Sequence, residues 1–217
     1  KTLFPTRRSS DLLLGKVPKQ YFSETSPGVF LAKLPIVVGR KGILDIDKNT
    51  QELRLSQQAG SFLINDGQLF VRDTKVTGWD EKTNGPALFK SAKEFRPFLL
   101  AWGGTETYIS KTKMASFGYA NSKSYGVSIS QYTPNMAKVL KRPEPTGWII
   151  DSEFSDMWYG FYCYEARDVV IKGNTYRDNI VYGIDPAART VTRAGEPVEL
   201  SSREFGVLLA LVEVRPR

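Results

Sequence analysis

The sequence predicts an all-β fold whose main part is a parallel β-helix, a solenoid of stacked coils, and three observations predict it. Four segments share one pattern: VRDTKVTGWD from Val71, ISKTKMASFG from Ile109, IIDSEFSDMW from Ile149 and IKGNTYRDNI from Ile171. In each, an apolar residue is followed five positions later by another: Val71 and Val76, Ile109 and Met114, Ile149 and Phe154, Ile171 and Tyr176. An aromatic-Gly-apolar triplet then follows three of them, as Tyr125-Gly126-Val127, Tyr159-Gly160-Phe161 and Tyr182-Gly183-Ile184. The last two triplets lie 23 residues apart and the matching isoleucines 22 apart, about one coil of a parallel β-helix. One short coil cannot bury its apolar side alone, so such repeats are stable only when stacked in register. An antiparallel sandwich is the competing arrangement for strands of this composition.

Taken in chain order, residues 1–12 stand apart. FPTRRSSDL, Phe4 to Leu12, matches the translation of a common sequencing-library adapter, so this stretch is expected to be an artefactual or disordered tail outside the fold. Residues 28–70 are strand-rich, with a turn signal at Asn65-Asp66-Gly67, and read as earlier coils of the solenoid. The first repeats are 38 and 40 residues apart. Loops inserted into the turns account for this: one begins at Asp80 as DEKTNGPALFKSAKEFRP, another is QYTPNMAKVLKRPEPTG from Gln131. Gly173-Asn174 is expected at a corner, where a tight turn demands positive φ. The main domain is thus bounded at 13–184. Residues 185–217 follow other rules: TVTRAGEPVEL predicts a hairpin about Ala194-Gly195, and Ser201 with Glu204 forms a capping box ahead of Phe205, Leu208, Leu209 and Val212 at helical spacing.

Composition excludes several chemistries. The chain has one cysteine, Cys163, and no histidine, so an internal disulfide, a thiolate metal cluster and imidazole catalysis are all ruled out, and no metal or cofactor is expected. Cys163 reads as a buried filler. No apolar run is long enough to cross a bilayer, so no membrane insertion is expected. The formal net charge is +7, of which +5 falls in residues 13–184 and none in 185–217. A mildly basic solenoid is compatible with an anionic polymer as partner.

The phrases FRPFLLAWGGTETYISKTKMASFGYANSKSYGVSIS, RPEPTGWIIDSEFSDMWYGFYCYEA and VIKGNTYRDNIVYGIDP resemble the periplasmic mannuronan C5-epimerases of bacterial alginate biosynthesis over about residues 13–186. The resemblance implies a right-handed parallel β-helix, a surface groove for poly-mannuronate, a periplasmic location and the alginate export machinery as a partner. It also implies inversion of C5 in D-mannuronate residues to give L-guluronate within the polymer. Removing the C5 proton requires neutralisation of the adjacent carboxylate, a base on one face and an acid on the other. The family uses an Asp-Pro-His-Asp motif. Here Asp185 and Pro186 match its first two positions, while Ala187 stands where the catalytic histidine belongs and Ala188 where the second aspartate belongs. Asp185 is therefore a motif remnant, and the chain is expected to be a fragment without epimerase activity; a non-catalytic β-helix that binds polyuronate, or a fragment of a DNA-binding response regulator, is the competing reading. Lys172 and Arg177, on the rung leading into the motif, and Lys111 and Lys113, on an earlier one, are the candidate substrate-binding cations. Tyr159, Tyr162 and Tyr182 are candidates to stack on sugar rings, although aromatic residues at repeat positions more often fill cores. The tail resembles the opening of the winged-helix domain of OmpR-type response regulators without its recognition helix, so no nucleic-acid binding is expected. Both families carry Asp-Pro at the joint, and the chain reads as a chimera joined there, with a solenoid truncated in mid-stack.

Overall fold

The computed structural model describes residues 17–184, together with the backbone of 190–193 and 196–199. Strand β1 (Phe22–Ser26) pairs antiparallel with β2 (Val29–Ala32), and the first coil continues through β3 (Ile36–Val38) and β4 (Ile43–Ile46). The second coil is β5 (Glu52–Ser56), β6 (Leu63–Asn65) and β7 (Gln68–Arg72). The third is β8 (Lys75–Asp80), a short β9 (Gly85–Pro86) folded back on it, then β10 (Leu99–Ala101) and β11 (Glu106–Ser110). The fourth is β12 (Lys113–Ala115), β13 (Gly126–Ser130), the helix α1 (Pro134–Leu140) and β14 (Thr146–Ile150). The fifth is β15 (Glu153–Ser155), β16 (Tyr159–Tyr164) and β17 (Val170–Lys172), and β18 (Thr175–Arg177) with β19 (Tyr182–Ile184) begins the next. Past these, β20 (Thr190–Arg193) and β21 (Glu196–Glu199) pair antiparallel, the expected hairpin.

The coils stack into three sheets, parallel except where β1 and β9 pair antiparallel within sheet 1. Sheet 1 runs β1-β2-β5-β8-β12-β15-β18, sheet 2 runs β3-β6-β10-β13-β16-β19 and sheet 3 runs β4-β7-β11-β14-β17. Parallel pairing throughout the coils excludes the sandwich. The repeats align as their sequences require: Val71, Ile109, Ile149 and Ile171 are register partners along sheet 3, and Val76, Met114, Phe154 and Tyr176 along sheet 1. Val71, Ile109, Ile149 and Phe154 have no exposed surface. Burying each such side chain contributes roughly 1.5–3 kcal/mol, and the stacking joins them into one continuous core.

The corners are fixed by backbone geometry. Between sheets 3 and 1, Asp73, Lys111 and Asp151 adopt φ of 51°, 48° and 49°, and Gly173 takes 68° as expected. The amide of Asp73 donates to Ser110 O, that of Lys111 to Ile150 O and that of Asp151 to Lys172 O, so each corner is tied to the coil above. Asn174 Oδ1 accepts from the Ser152 amide, and Ser152 Oγ accepts from the Thr112 amide. The aromatic-Gly-apolar triplet has a steric reason. A Cβ on Gly160 would lie 2.3 Å from Gly183 O, and one on Gly126 would lie 2.2 Å from Tyr159 O. The last two triplets stack in register, Tyr159 on Tyr182 and Phe161 on Ile184. The first is offset, because Gly126 pairs with Tyr159 and Ser128 with Tyr162 across a bulge.

Both predicted insertions leave the coil at corners. The one after Asp80 returns through Arg96, which has no exposed surface and donates to Ala87 O and Gly118 O and to the carboxylate and carbonyl of Asp156. The other carries α1, with Pro134 at its first turn and Lys141 closing it in the left-handed conformation. There Arg142 pairs with Asp66 at 3.1 Å, tying the insertion to an earlier corner.

Candidate functional site

Strand β19 delivers the chain to the position where the motif would begin. Asp185, Pro186, Ala187 and Ala188 themselves lie outside the described residues, as do residues 1–12 and the capping box and helix expected from Ser201. The described approach to that position is the outer surface of sheet 2.

Strand alternation sets which side chains occupy this surface. On β16, Phe161 and Cys163 point inward and are buried, so Tyr162 and Tyr164 point out. On β13, Val127 and Ile129 fill the core, which places Ser128 and Ser130 on the outer side, in register with Tyr162 and Tyr164. Tyr159 and Tyr182 are also outside the core cluster, and Tyr182 is 47% exposed. The rings form a connected group: Tyr125 lies 5.1 Å from Tyr159 and 4.9 Å from Tyr162 in edge-to-face contacts, and Tyr159 lies 5.8 Å from Tyr182. These tyrosines are therefore surface groups, against the general tendency of repeat aromatics to be core.

One cation joins them. Lys123, held at φ 60° in the loop before β13, sends its ammonium to Gln131 O and over the Tyr164 ring, 5.7 Å from its centroid. Burial pulls its pKa below the ordinary lysine value, with Glu165 opposing from a distance. Ser130 Oγ donates to the same Gln131 carbonyl at 3.1 Å. Ser128 Oγ, in a residue with no exposed surface, has no hydrogen-bond partner among the described residues. Lys123 and Ser128 were not singled out from sequence. The alternation of Val127-Ser128-Ile129-Ser130 is the sequence feature that matches the outward placement of the serines.

The four expected cations sit elsewhere. Lys111 is exposed at the corner between sheets 3 and 1, and Lys172 ends β17 in register with Ile150. Lys113 and Arg177 lie on sheet 1 and both reach Glu153, at 3.9 and 3.5 Å. Lys75, the register neighbour of Lys113, pairs with Glu52 at 3.0 Å. Burial works against an ionised Glu52, yet Thr77, Lys75 and Arg54 together hold its pKa below the ordinary value. Sheet 1 thus presents interleaved charges rather than a cationic stripe. Among the described residues no cluster of carboxylate or thiol groups could hold a metal ion, and no helix is long and apolar enough to cross a membrane.

The fold defines a parallel β-helix protein with a tyrosine-rich outer surface on one sheet. No family model matches the chain. It is 82% identical over 200 residues to a mannuronan C5-epimerase of Pseudomonas fluorescens, a match covering 91% of this chain and 38% of that protein. It is 57% identical to the mannuronan C5-epimerase of Pseudomonas aeruginosa, over 91% of the chain and 37% of the relative. The solved crystal structure of the periplasmic alginate epimerase AlgG superimposes with a TM-score of 0.79 at 67% identity, over 79% of this chain and 41% of that one. Over most of its length this chain is homologous to mannuronan C5-epimerases, and it spans less than two fifths of the length of these curated relatives. The match to the Pseudomonas fluorescens protein is longer than residues 13–186, so the similarity runs past the expected span.

Proposed function

We propose that this chain is the polymer-holding part of a periplasmic mannuronan C5-epimerase, which binds the mannuronate residues of alginate and, in the whole protein, supports their inversion to guluronate. The 82% identity over 91% of the chain carries this reading. The surface chemistry agrees: tyrosine rings offer apolar faces to pyranose rings, and a half-buried ammonium complements a polymer bearing one carboxylate per residue. The chain contains no histidine, so the base that the resemblance assigns to the motif is missing, and we assign no turnover to the chain by itself. Any contact with the alginate export machinery belongs to the same reading. Calorimetric titration with poly-mannuronate, alongside proton NMR of the polymer after incubation, tests it. Binding without new guluronate signals is expected. Failure to bind any polyuronate overturns the functional reading, whereas guluronate production overturns the assignment of inactivity. The joint proposed at Asp185-Pro186 and the adapter origin of residues 4–12 are decided by a long read of the source DNA across both stretches.

A further inference from the structure

Resting on that reading, we infer that Lys123 and Ser128 form a receptor for one uronate carboxylate on the outer surface of sheet 2, with Tyr162 beside it taking the face of the same sugar. Four observations converge. Lys123 reaches from the loop before β13 to the carbonyl that follows the strand, so its ammonium sits beside Ser130, one step along the same outward face from Ser128. No carboxylate lies within ion-pair distance of Lys123 among the described residues, whereas Lys75 and Lys113 on sheet 1 each have one. An ammonium has three protons to donate and the Gln131 carbonyl takes one of them. Ser128 Oγ is partnerless and closed from solvent, an arrangement that costs stability and that a carboxylate oxygen would relieve once the side chains over it turn aside on binding. Its register partner on the next coil is Tyr162, whose ring meets Tyr125 at 4.9 Å.

The ligand chemistry follows from the donors. A hydroxyl and an ammonium suit an anion with two acceptor oxygens, and the adjoining aromatic group suits a ring rather than a free ion. Coils repeat every 4.8 Å or so along a parallel sheet. A 1,4-linked pyranose advances by about the same distance, so neighbouring uronates fall on neighbouring coils, toward Tyr159 and Tyr182. Glu165 is the acid nearest to competing for Lys123, and it acts only at longer range.

The test separates this role from a structural one. Ser128→Ala removes an unpartnered hydroxyl, so a purely structural view expects an unchanged or raised melting temperature and unchanged binding. The inference expects that same melting temperature with poly-mannuronate affinity reduced about tenfold, the loss of one hydrogen bond to a charged group. Lys123→Met is expected to weaken binding by at least as much, and Lys123→Arg to restore part of it. Titrations use the full 217-residue chain with poly-mannuronate and, as a neutral control, its carboxyl-reduced form. The reduced polymer is expected to bind weakly and to the parent and variants alike. If the parent binds poly-mannuronate and both Ser128→Ala and Lys123→Met bind it equally well, this inference is wrong and the functional reading stands. If the parent binds no polyuronate, the functional reading fails first.

Discussion

Arg96 is the residue whose removal the structure prices most clearly. Its guanidinium has no exposed surface and makes bonds to Ala87 O, Gly118 O and both the carbonyl and the carboxylate of Asp156, the last at 2.7 Å. Burial lowers its pKa to about 10, still far above neutrality, so it is charged under all ordinary conditions. Arg96→Met keeps much of the volume and deletes the charge, leaving the Asp156 carboxylate and two carbonyls without their donor. Removing one partner of a buried pair costs about 3–5 kcal/mol, a large share of the 5–15 kcal/mol typical of a folded domain. The pH dependence has a definite sign. Burial raises the Asp156 pKa, while Arg96 and Ser116 pull it down without cancelling the rise. A raised folded-state carboxyl binds more protons than the unfolded one, so stability falls as pH rises from the unfolded value through the folded value. Without Arg96 that pKa rises further, and a protonated Asp156 needs no cation. The variant's deficit is therefore full at pH 7 and shrinks on acidification through the elevated Asp156 pKa. Denaturant midpoints of parent and variant, followed by circular dichroism from pH 7 down to about pH 4, measure both quantities. A deficit below about 1 kcal/mol at pH 7, or one that grows in acid, would refute the assignment of Arg96 as the staple of this insertion.

Other positions give smaller or opposite effects. Gly160→Ala places a Cβ 2.3 Å from Gly183 O and 2.6 Å from the Tyr176 ring, and overpacking of this kind costs roughly 1–3 kcal/mol, readable as a lower denaturation midpoint. Tyr182→Ala removes a ring that is 47% exposed, so the melting temperature should barely move while poly-mannuronate affinity drops several-fold in the same titration. Glu153→Gln releases Lys113 and Arg177 from long, exposed ion pairs and should change stability by less than about 1 kcal/mol in denaturant titrations.

The coil repeat was legible in sequence because stacking imposes identity of kind at fixed positions. Val71, Ile109, Ile149 and Ile171 must be apolar for the same reason and share one column. Gly173 was legible because its corner needs positive φ, but the equivalent corners use Asp73, Lys111 and Asp151, which no glycine rule would find. Backbone bonds to the next coil hold those three in place. The site was less readable. Lys111, Lys113, Lys172 and Arg177 stand near the repeats in sequence, and the folding of each coil through three sheets carries Lys113 and Arg177 to sheet 1, Lys111 to its corner with sheet 3 and Lys172 to the end of a sheet 3 strand. Lys123 lies in a loop outside the repeat, and only the path of its side chain across β13 gives it a role. The offset of Tyr125-Gly126-Val127 by one residue was likewise invisible, since a bulge changes register without changing composition.

The distribution of charge argues for a division of labour between faces. The net charge of +7 attracts a polyanion to the molecule as a whole, but attraction at a distance does not choose a face. On sheet 1, Glu52 and Glu153 answer Arg54, Lys75, Lys113 and Arg177, so a polymer carboxylate arriving there must displace carboxylates already in place. On sheet 2 the ammonium of Lys123 faces a carbonyl and an aromatic ring, so an arriving carboxylate gains a charge-assisted bond without displacing an ion. Rings at Tyr125, Tyr159, Tyr162 and Tyr182 then continue that face from the fourth coil to the start of the sixth, ending at the strand that leads to Asp185. The same regular rise that builds the core column inside sheet 1 sets the spacing of these surface groups, so under the proposed function a repeating polymer would meet a repeating surface.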